Sequence, residues 1–125
     1  MARPNPVGWF EIYVADLKRA QAFYEAVFAT KLDVLEAGPE LQMLAFPMRP
    51  DERGCAGALC HMPGAPTGAN STIVYFMSDD CAVEARRVTE QGGKIFKEKF
   101  SIGEHGFIAL AFDTEGNMIG IHSMQ

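Results

Sequence analysis

Apolar and polar positions alternate along the chain in blocks that change period. Trp9-Phe10-Glu11-Ile12-Tyr13-Val14 is aromatic and β-branched and ends at Ala15-Asp16, which predicts a strand. Asp16 then stands at a helix N-cap position. Ala20, Phe23, Tyr24, Val27 and Phe28 recur at helical spacing, with Lys18, Arg19, Gln21 and Glu25 between them. This predicts a helix to about Ala29 with one apolar stripe for a sheet. The short apolar runs Lys31–Glu36, Leu41–Phe46 and Ala56–Met62, separated by Gly38-Pro39 and by the stretch Pro47 to Gly54, predict a three-strand meander.

After a Pro- and Gly-rich connector over 63–70, the order returns. Thr72–Met77 predicts a strand, Asp79 or Asp80 a cap, and Ala82–Gln91 a helix ended by Gly92-Gly93. Lys94–Phe100, Gly106–Phe112 and Asn117–Ser123 predict three more strands. Asp113-Thr-Glu-Gly116 fits a type I turn. One constant offset pairs Phe10 with Ile73, Ile12 with Tyr75, Val14 with Met77, Asp16 with Asp79 and Gly57 with Gly120. The pattern therefore predicts an internal duplication. It is α+β, with two tandem βαβββ halves over 7–62 and 71–124 forming a curved mixed sheet around a central trough.

Composition narrows the function classes. With 125 residues, 48% of them hydrophobic, the chain can fill the core of one domain. Its net charge is −5 and its 11 basic residues are scattered, which argues against nucleic acid as a partner. No uninterrupted apolar stretch approaches membrane-spanning length, and prolines at 4 and 6 stand where a secretory signal needs apolar residues. A cytoplasmic protein with no membrane partner is expected. Cys55, Cys60 and Cys81 lack C-x-x-C spacing, so three reduced thiols are expected.

The segment Trp9-Phe-Glu-Ile-Tyr-Val-Ala-Asp-Leu17, the run Ala22-Phe-Tyr-Glu-Ala-Val-Phe28 and the terminal Asp113-Thr-Glu-Gly-Asn-Met-Ile-Gly120 together resemble the vicinal oxygen chelate superfamily. That superfamily includes glyoxalase I, bleomycin-resistance proteins and extradiol dioxygenases. The resemblance implies the glyoxalase-like fold, a small-molecule ligand and a homodimer. It also implies a divalent metal held by His, Glu or Gln on the first and last strand of each half. Those positions fall here on Trp9, on Gly57 or Ala58, on Thr72 and on Gly120. None of these side chains is a normal ligand for a catalytic metal.

Strand parity places Trp9, Glu11 and Tyr13 on one face, Phe10, Ile12 and Val14 on the other. Counted from Gly57 it adds Leu59 and His61 to the trough; from Gly120, His122 and Met124; from Thr72, Val74 and Phe76. Two readings of the polar residues stay open. In one, Glu11, His61 and His122 form a displaced two-His-one-carboxylate metal site for a lyase, isomerase or dioxygenase. In the other, Glu11 is paired within its strand, His122 lies at the rim and His61 merely precedes the connector.

Glu11 is the first catalytic candidate, since a carboxylate poorly solvated beside Trp9 has its pKa raised toward the working range of a general base. Ligand contacts are expected from Trp9, Tyr13, Thr72, Phe76 and His122, with Trp9 either a stacking surface or plain core. Glu104-His105-Gly106 is either a loop reaching over the cavity or solvated. Cys60 alternates with His61, which disfavours a Cys–His nucleophilic pair. Met48-Arg-Pro-Asp-Glu-Arg-Gly54 is a plain connection, a lid, or a contact for substrate charge through Arg49 or Arg53. The cofactor is undetermined. A non-catalytic dimeric interaction module is the third functional class.

Overall fold

A computed structural model describes residues 5–68, 71–112, 114 and 116–125. The fold is α+β and divides into two compact units: Trp9–Thr72, and Ile73–Gln125 joined by the segment that ends at Gly8.

The first unit contains most of β1 (Val7–Tyr13), then α1 (Leu17–Phe28), β2 (Asp33–Leu35), β3 (Gln42–Ala45) and β4 (Ala56–His61). Its strand order is β2-β3-β4-β1. β1 runs parallel to β4, in the register Trp9↔Ala56, Glu11↔Ala58, Tyr13↔Cys60, while β3 is antiparallel to both β4 and β2. The Asp16 carboxylate accepts from the Arg19 backbone N–H at 3.1 Å and so caps α1. Ala29 ends the helix in the left-handed region, φ 51°. One side of the sheet packs Ile12, Leu32, Leu44 and Leu59 against Leu17, Ala20 and Tyr24 of the helix.

The apolar stripe of α1 is wider than this contact. Phe23, Val27 and Phe28, expected to face the sheet, are 59%, 56% and 64% exposed. At about 100° per residue, Phe23 and Val27 sit to one side of the line through Ala20 and Tyr24, and Phe28 is the last helical residue.

The second unit repeats the order with β5 (Thr72–Met77), α2 (Cys81–Glu90), β6 (Lys94–Ser101), β7 (Phe107–Phe112) and β8 (Met118–Ser123). A single 3-10 turn, Gly103–His105, separates β6 from β7. The strand order is β5-β8-β7-β6, with β5 parallel to β8. Cys81 and Ala85 of α2 pack on Ala109 and Ile121, flanked by Val88, Ile95 and Phe107.

Of the two expected caps for α2, Asp80 is used; its carboxylate accepts from the Ala82 N–H at 3.0 Å. Lys99 donates to the same oxygen at 2.8 Å. The Lys99 hydrogen bond, then the Ala82 N–H, hold the Asp80 carboxyl below its ordinary pKa. The turn expected over Asp113–Gly116 and the end of the connector at 69–70 fall partly outside the described residues.

Candidate functional site

β1 assembles the polar group. Alternation along the strand turns Ile12 toward α1 and Trp9 and Tyr13 to the opposite side, against Met43, Ala58 and Cys60. Glu11 lies between Trp9 and Tyr13 and is only 6% exposed. Its carboxylate accepts from the Tyr13 hydroxyl at 2.8 Å and from the Trp9 indole Nε1–H at 3.2 Å. An indole nitrogen can only donate, and a carboxylate can only accept, so this pair fixes the direction of both bonds. The residue directly across from Glu11 is Ala58, itself paired with Ala45 on β3. One methyl side chain, Ala58, therefore lies across from Glu11 on the neighbouring strand, with that of Ala45 one strand further out.

Burial, then the charge of Glu11 and its hydrogen bond, push the Tyr13 hydroxyl well above the ordinary phenol range. Burial and Glu11 likewise push the Cys60 thiol up. Tyr13 thus remains a proton donor and Cys60 a neutral thiol across the physiological range. Cys60 faces the same side as Glu11 but is no thiolate nucleophile.

The register corrects the parity drawn from Gly57. Ala58 and Cys60 share the Glu11 face, whereas Leu59 packs under α1 and His61, two residues on, points the same way. The His61 Nδ1 lies 3.0 Å from the Val14 carbonyl; a carbonyl can only accept, so Nδ1 carries the proton. Glu11 and His61 therefore occupy opposite faces of one sheet. The displaced set Glu11, His61 and His122 does not form, since side chains an odd number of strand positions apart diverge. Among the described residues, no three His, Cys, Asp or Glu side chains group as a metal-holding set.

A second correction concerns β5. Tyr75 pairs with Gly120 and its ring occupies the space where a Cβ on Gly120 would stand, so Tyr75, Gly120 and His122 share one face. Phe76 pairs with Ile121, which packs under α2, so Phe76 and Thr72 fall on the helix side rather than beside His122. The reason is the cap. Counting back from Asp80 instead of Asp79 moves the first-strand position from Thr72 to Ile73, and a one-residue shift exchanges the faces of a strand.

His122 lies on the face of Tyr75 and Gly120. Its Nε2 is 2.6 Å from the His105 carbonyl and donates to it, tying the strand to the turn Gly103–His105. The His105 side chain meets Glu104 at 4.0 Å, at the surface.

Sequence reasoning missed Ala58 and Cys60 as neighbours of Glu11, and Tyr75 as the buried residue of β5 (6% exposed). The sequence held a usable signal for Tyr75, namely the second Asp of the Asp79-Asp80 pair. Both parities of Thr72–Met77 are apolar enough to hide it.

The model of the Glyoxalase/Bleomycin resistance protein/Dioxygenase superfamily matches residues 7–121. The chain belongs to that superfamily. No curated protein matches it. Among solved structures, the superfamily member is similar to methylmalonyl-CoA epimerase from Mycobacterium tuberculosis, at 14% identity over 100% of this chain and 93% of that one, with a TM-score of 0.69. A hypothetical protein from Bacillus halodurans matches with a TM-score of 0.75 at 12% identity, covering 98% and 96%. A variant of Streptomyces coelicolor methylmalonyl-CoA epimerase, in complex with 2-nitronate-propionyl-CoA, matches with a TM-score of 0.66 at 16% identity, covering 94% and 96%. At these identities the likeness is one of fold. Among the described residues, no helix of this glyoxalase-superfamily chain is long and apolar enough to cross a membrane.

Proposed function

We propose that the protein binds a small, partly apolar molecule on the face of β1 that carries Trp9, Glu11 and Tyr13. The observation that carries this reading is the buried Glu11 carboxylate, held by an indole and a phenol and faced by Ala58. Burying a charge is costly unless its partners are in place. A sheet face that hydrogen-bonds one carboxylate from both neighbours and keeps a methyl group across from it suits a ligand with a flat apolar portion. Within the second unit, His122 is proposed to offer a ligand the ring nitrogen not bound to His105.

The family positions for a divalent metal fall on Trp9, Ala58, Ile73 and Gly120. Indole, methyl, aliphatic and hydrogen side chains offer no donor to a metal, and the space at Gly120 is filled by the Tyr75 ring. A metal does not fit there, and no step of this proposal runs through one.

A catalytic form of the reading is favoured by the same geometry. Glu11 would take a proton from a carbon next to a carbonyl, with Trp9 and Tyr13 orienting its carboxylate. Two of the solved structures with this fold are named as epimerases, and removing and returning a proton beside a carbonyl is one way to invert a carbon centre. Incubating an acyl thioester with the protein in D2O tests it. Exchange at the α-carbon that disappears with Glu11→Gln supports catalysis; no exchange above the buffer rate removes it.

Binding itself is tested by the fluorescence of Trp9, the only tryptophan in the chain. A response to members of a metabolite panel, lost in Trp9→Leu, is expected. Silence across a broad panel refutes the proposal. Homodimerisation and a cytoplasmic location complete the reading; the exposed Phe23, Val27 and Phe28 support the first, which sedimentation velocity tests.

A further inference from the structure

The connection between β3 and β4 is more than a link. Residues Pro47, Arg49, Glu52, Arg53, Cys55 and Ala56 line an open depression of about 350 Å³. A turn closed by the Glu52 N–H donating to the Arg49 carbonyl at 3.0 Å, followed by Gly54 at φ 89°, brings Arg49 and Arg53 to the same depression. The one carboxylate in its lining, Glu52, is 3.9 Å from Arg49, too far for a hydrogen bond, with both side chains well exposed. Among the described residues, no ion pair engages Arg53. The lining therefore carries a net positive charge in a protein whose overall charge is −5.

The position of this depression gives it meaning. Ala56, which closes its sheet end, is the register partner of Trp9. Along β1, Glu11 follows two residues later, roughly 7 Å further on at the rise of an extended strand. Through Ala56 the depression adjoins Trp9 in register, and Trp9 in turn precedes the buried carboxylate on β1. An anion is repelled from the Glu11 end and attracted to the arginine end, so an acidic ligand has one favoured orientation.

We infer that the ligand carries a carboxylate or phosphate group held by Arg49 and Arg53, with its apolar part lying across Ala56 and Trp9 toward Glu11. This deepens the small-molecule reading above and rests on it. Planar guanidinium groups bind carboxylate and phosphate through paired N–H donors, and two of them around one depression select charge over shape.

Three aromatic probes of one shape separate charge from apolar contact: 2-naphthoate, 2-naphthyl phosphate and 2-naphthamide, titrated at constant ionic strength. Trp9 fluorescence reports the apolar end, and the guanidinium NMR signals of Arg49 and Arg53 report the other, with inorganic phosphate as a fourth probe. Both anions are expected to bind roughly fivefold or more tightly than the amide. The Arg49→Gln/Arg53→Gln double variant should reduce them to the affinity of the amide, with Tm unchanged because both side chains are at the surface. Glu52→Gln should tighten both anions. The stronger of the two anions distinguishes a carboxylate ligand from a phosphorylated one. Equal binding of all three, a preference that survives the double variant, or arginine signals that no anion moves would each overturn the inference. If inorganic phosphate moves the arginine signals while Trp9 stays silent to all three aromatics, the anion subsite stands and the apolar reading above fails.

Discussion

Replacing Tyr13 by Phe removes one oxygen and leaves the ring in place, so the substitution isolates a single hydrogen bond. That bond joins the Tyr13 hydroxyl to the Glu11 carboxylate at 2.8 Å, in a site where Glu11 is only 6% exposed. Hydrogen bonds to charged groups contribute about 1.5–3 kcal/mol, and loss of the donor leaves a buried anion with one partner fewer. We expect Tyr13→Phe to lower stability by about 2 kcal/mol, a fall in Tm of roughly 8 °C for a domain of this size. In a Glu11→Gln background the same bond is neutral to neutral and contributes about 1 kcal/mol, so a double-mutant cycle should return a coupling of about 1 kcal/mol. Urea unfolding at pH 7, followed by Trp9 fluorescence, measures all four variants. A cost below about 0.5 kcal/mol for Tyr13→Phe, equal in both backgrounds, would refute the account of Glu11 as a charged acceptor.

Three further outcomes are expected. Raised folded pKa values at Cys60 and Tyr13 mean that the fold keeps protons the unfolded chain releases, so their stabilising effect is complete below the unfolded values, about 8.5 and 10, and is lost as pH rises through them. Thermal melts from pH 7 to 11 should show this alkaline loss, and Cys60→Ala with Tyr13→Phe should flatten it. Gly120→Ala should lower Tm by driving a methyl into the Tyr75 ring, about 1–3 kcal/mol of overpacking; Tyr75→Leu should recover part of it, and an unchanged Tm would contradict the register of β5 and β8. At Asp80 the shift is downward, so its contribution is present above the ordinary carboxylate range and is lost as pH falls. Asp80→Ala should therefore lower Tm at pH 7 and by less at pH 3, and an equal loss at both values would count against the Lys99 and Ala82 contacts.

The order of elements was legible because each change of hydrophobic period is bounded by a cap or a glycine. Asp16 caps α1 as its position implied, and both units carry the strand and helix order read from the chain. The Glu11 face was legible too, since Trp9, Glu11 and Tyr13 alternate with residues that are all apolar. Parity failed where the chain offered no polar marker. In β4 the run Ala-Gly-Ala-Leu-Cys carries no residue that must face either way, so counting from Gly57 rather than Ala58 turned His61 and Leu59 to the wrong side. In β5 both alternating sets are apolar, and the choice between Asp79 and Asp80 decided the face of every residue from Thr72 to Met77. Pairing of β4 with β1 and of β5 with β8 sets these phases, and such non-local pairing is not encoded in any short window.

The cap at Asp80 also fixes which residues of the two halves correspond. Asp16 and Asp80 lie 64 residues apart, and the same spacing sets Glu11 against Tyr75. Each is in register with a small residue of its own unit's last strand, Ala58 for Glu11 and Gly120 for Tyr75. The duplicated halves thus answer one position in opposite ways. In the second half a ring lies down over the glycine and the place is occupied by the protein itself; in the first a carboxylate stands between two donors with the Ala58 methyl group across from it. Symmetry of backbone has been kept while its chemistry has been divided, one half furnishing filler and the other an instrument.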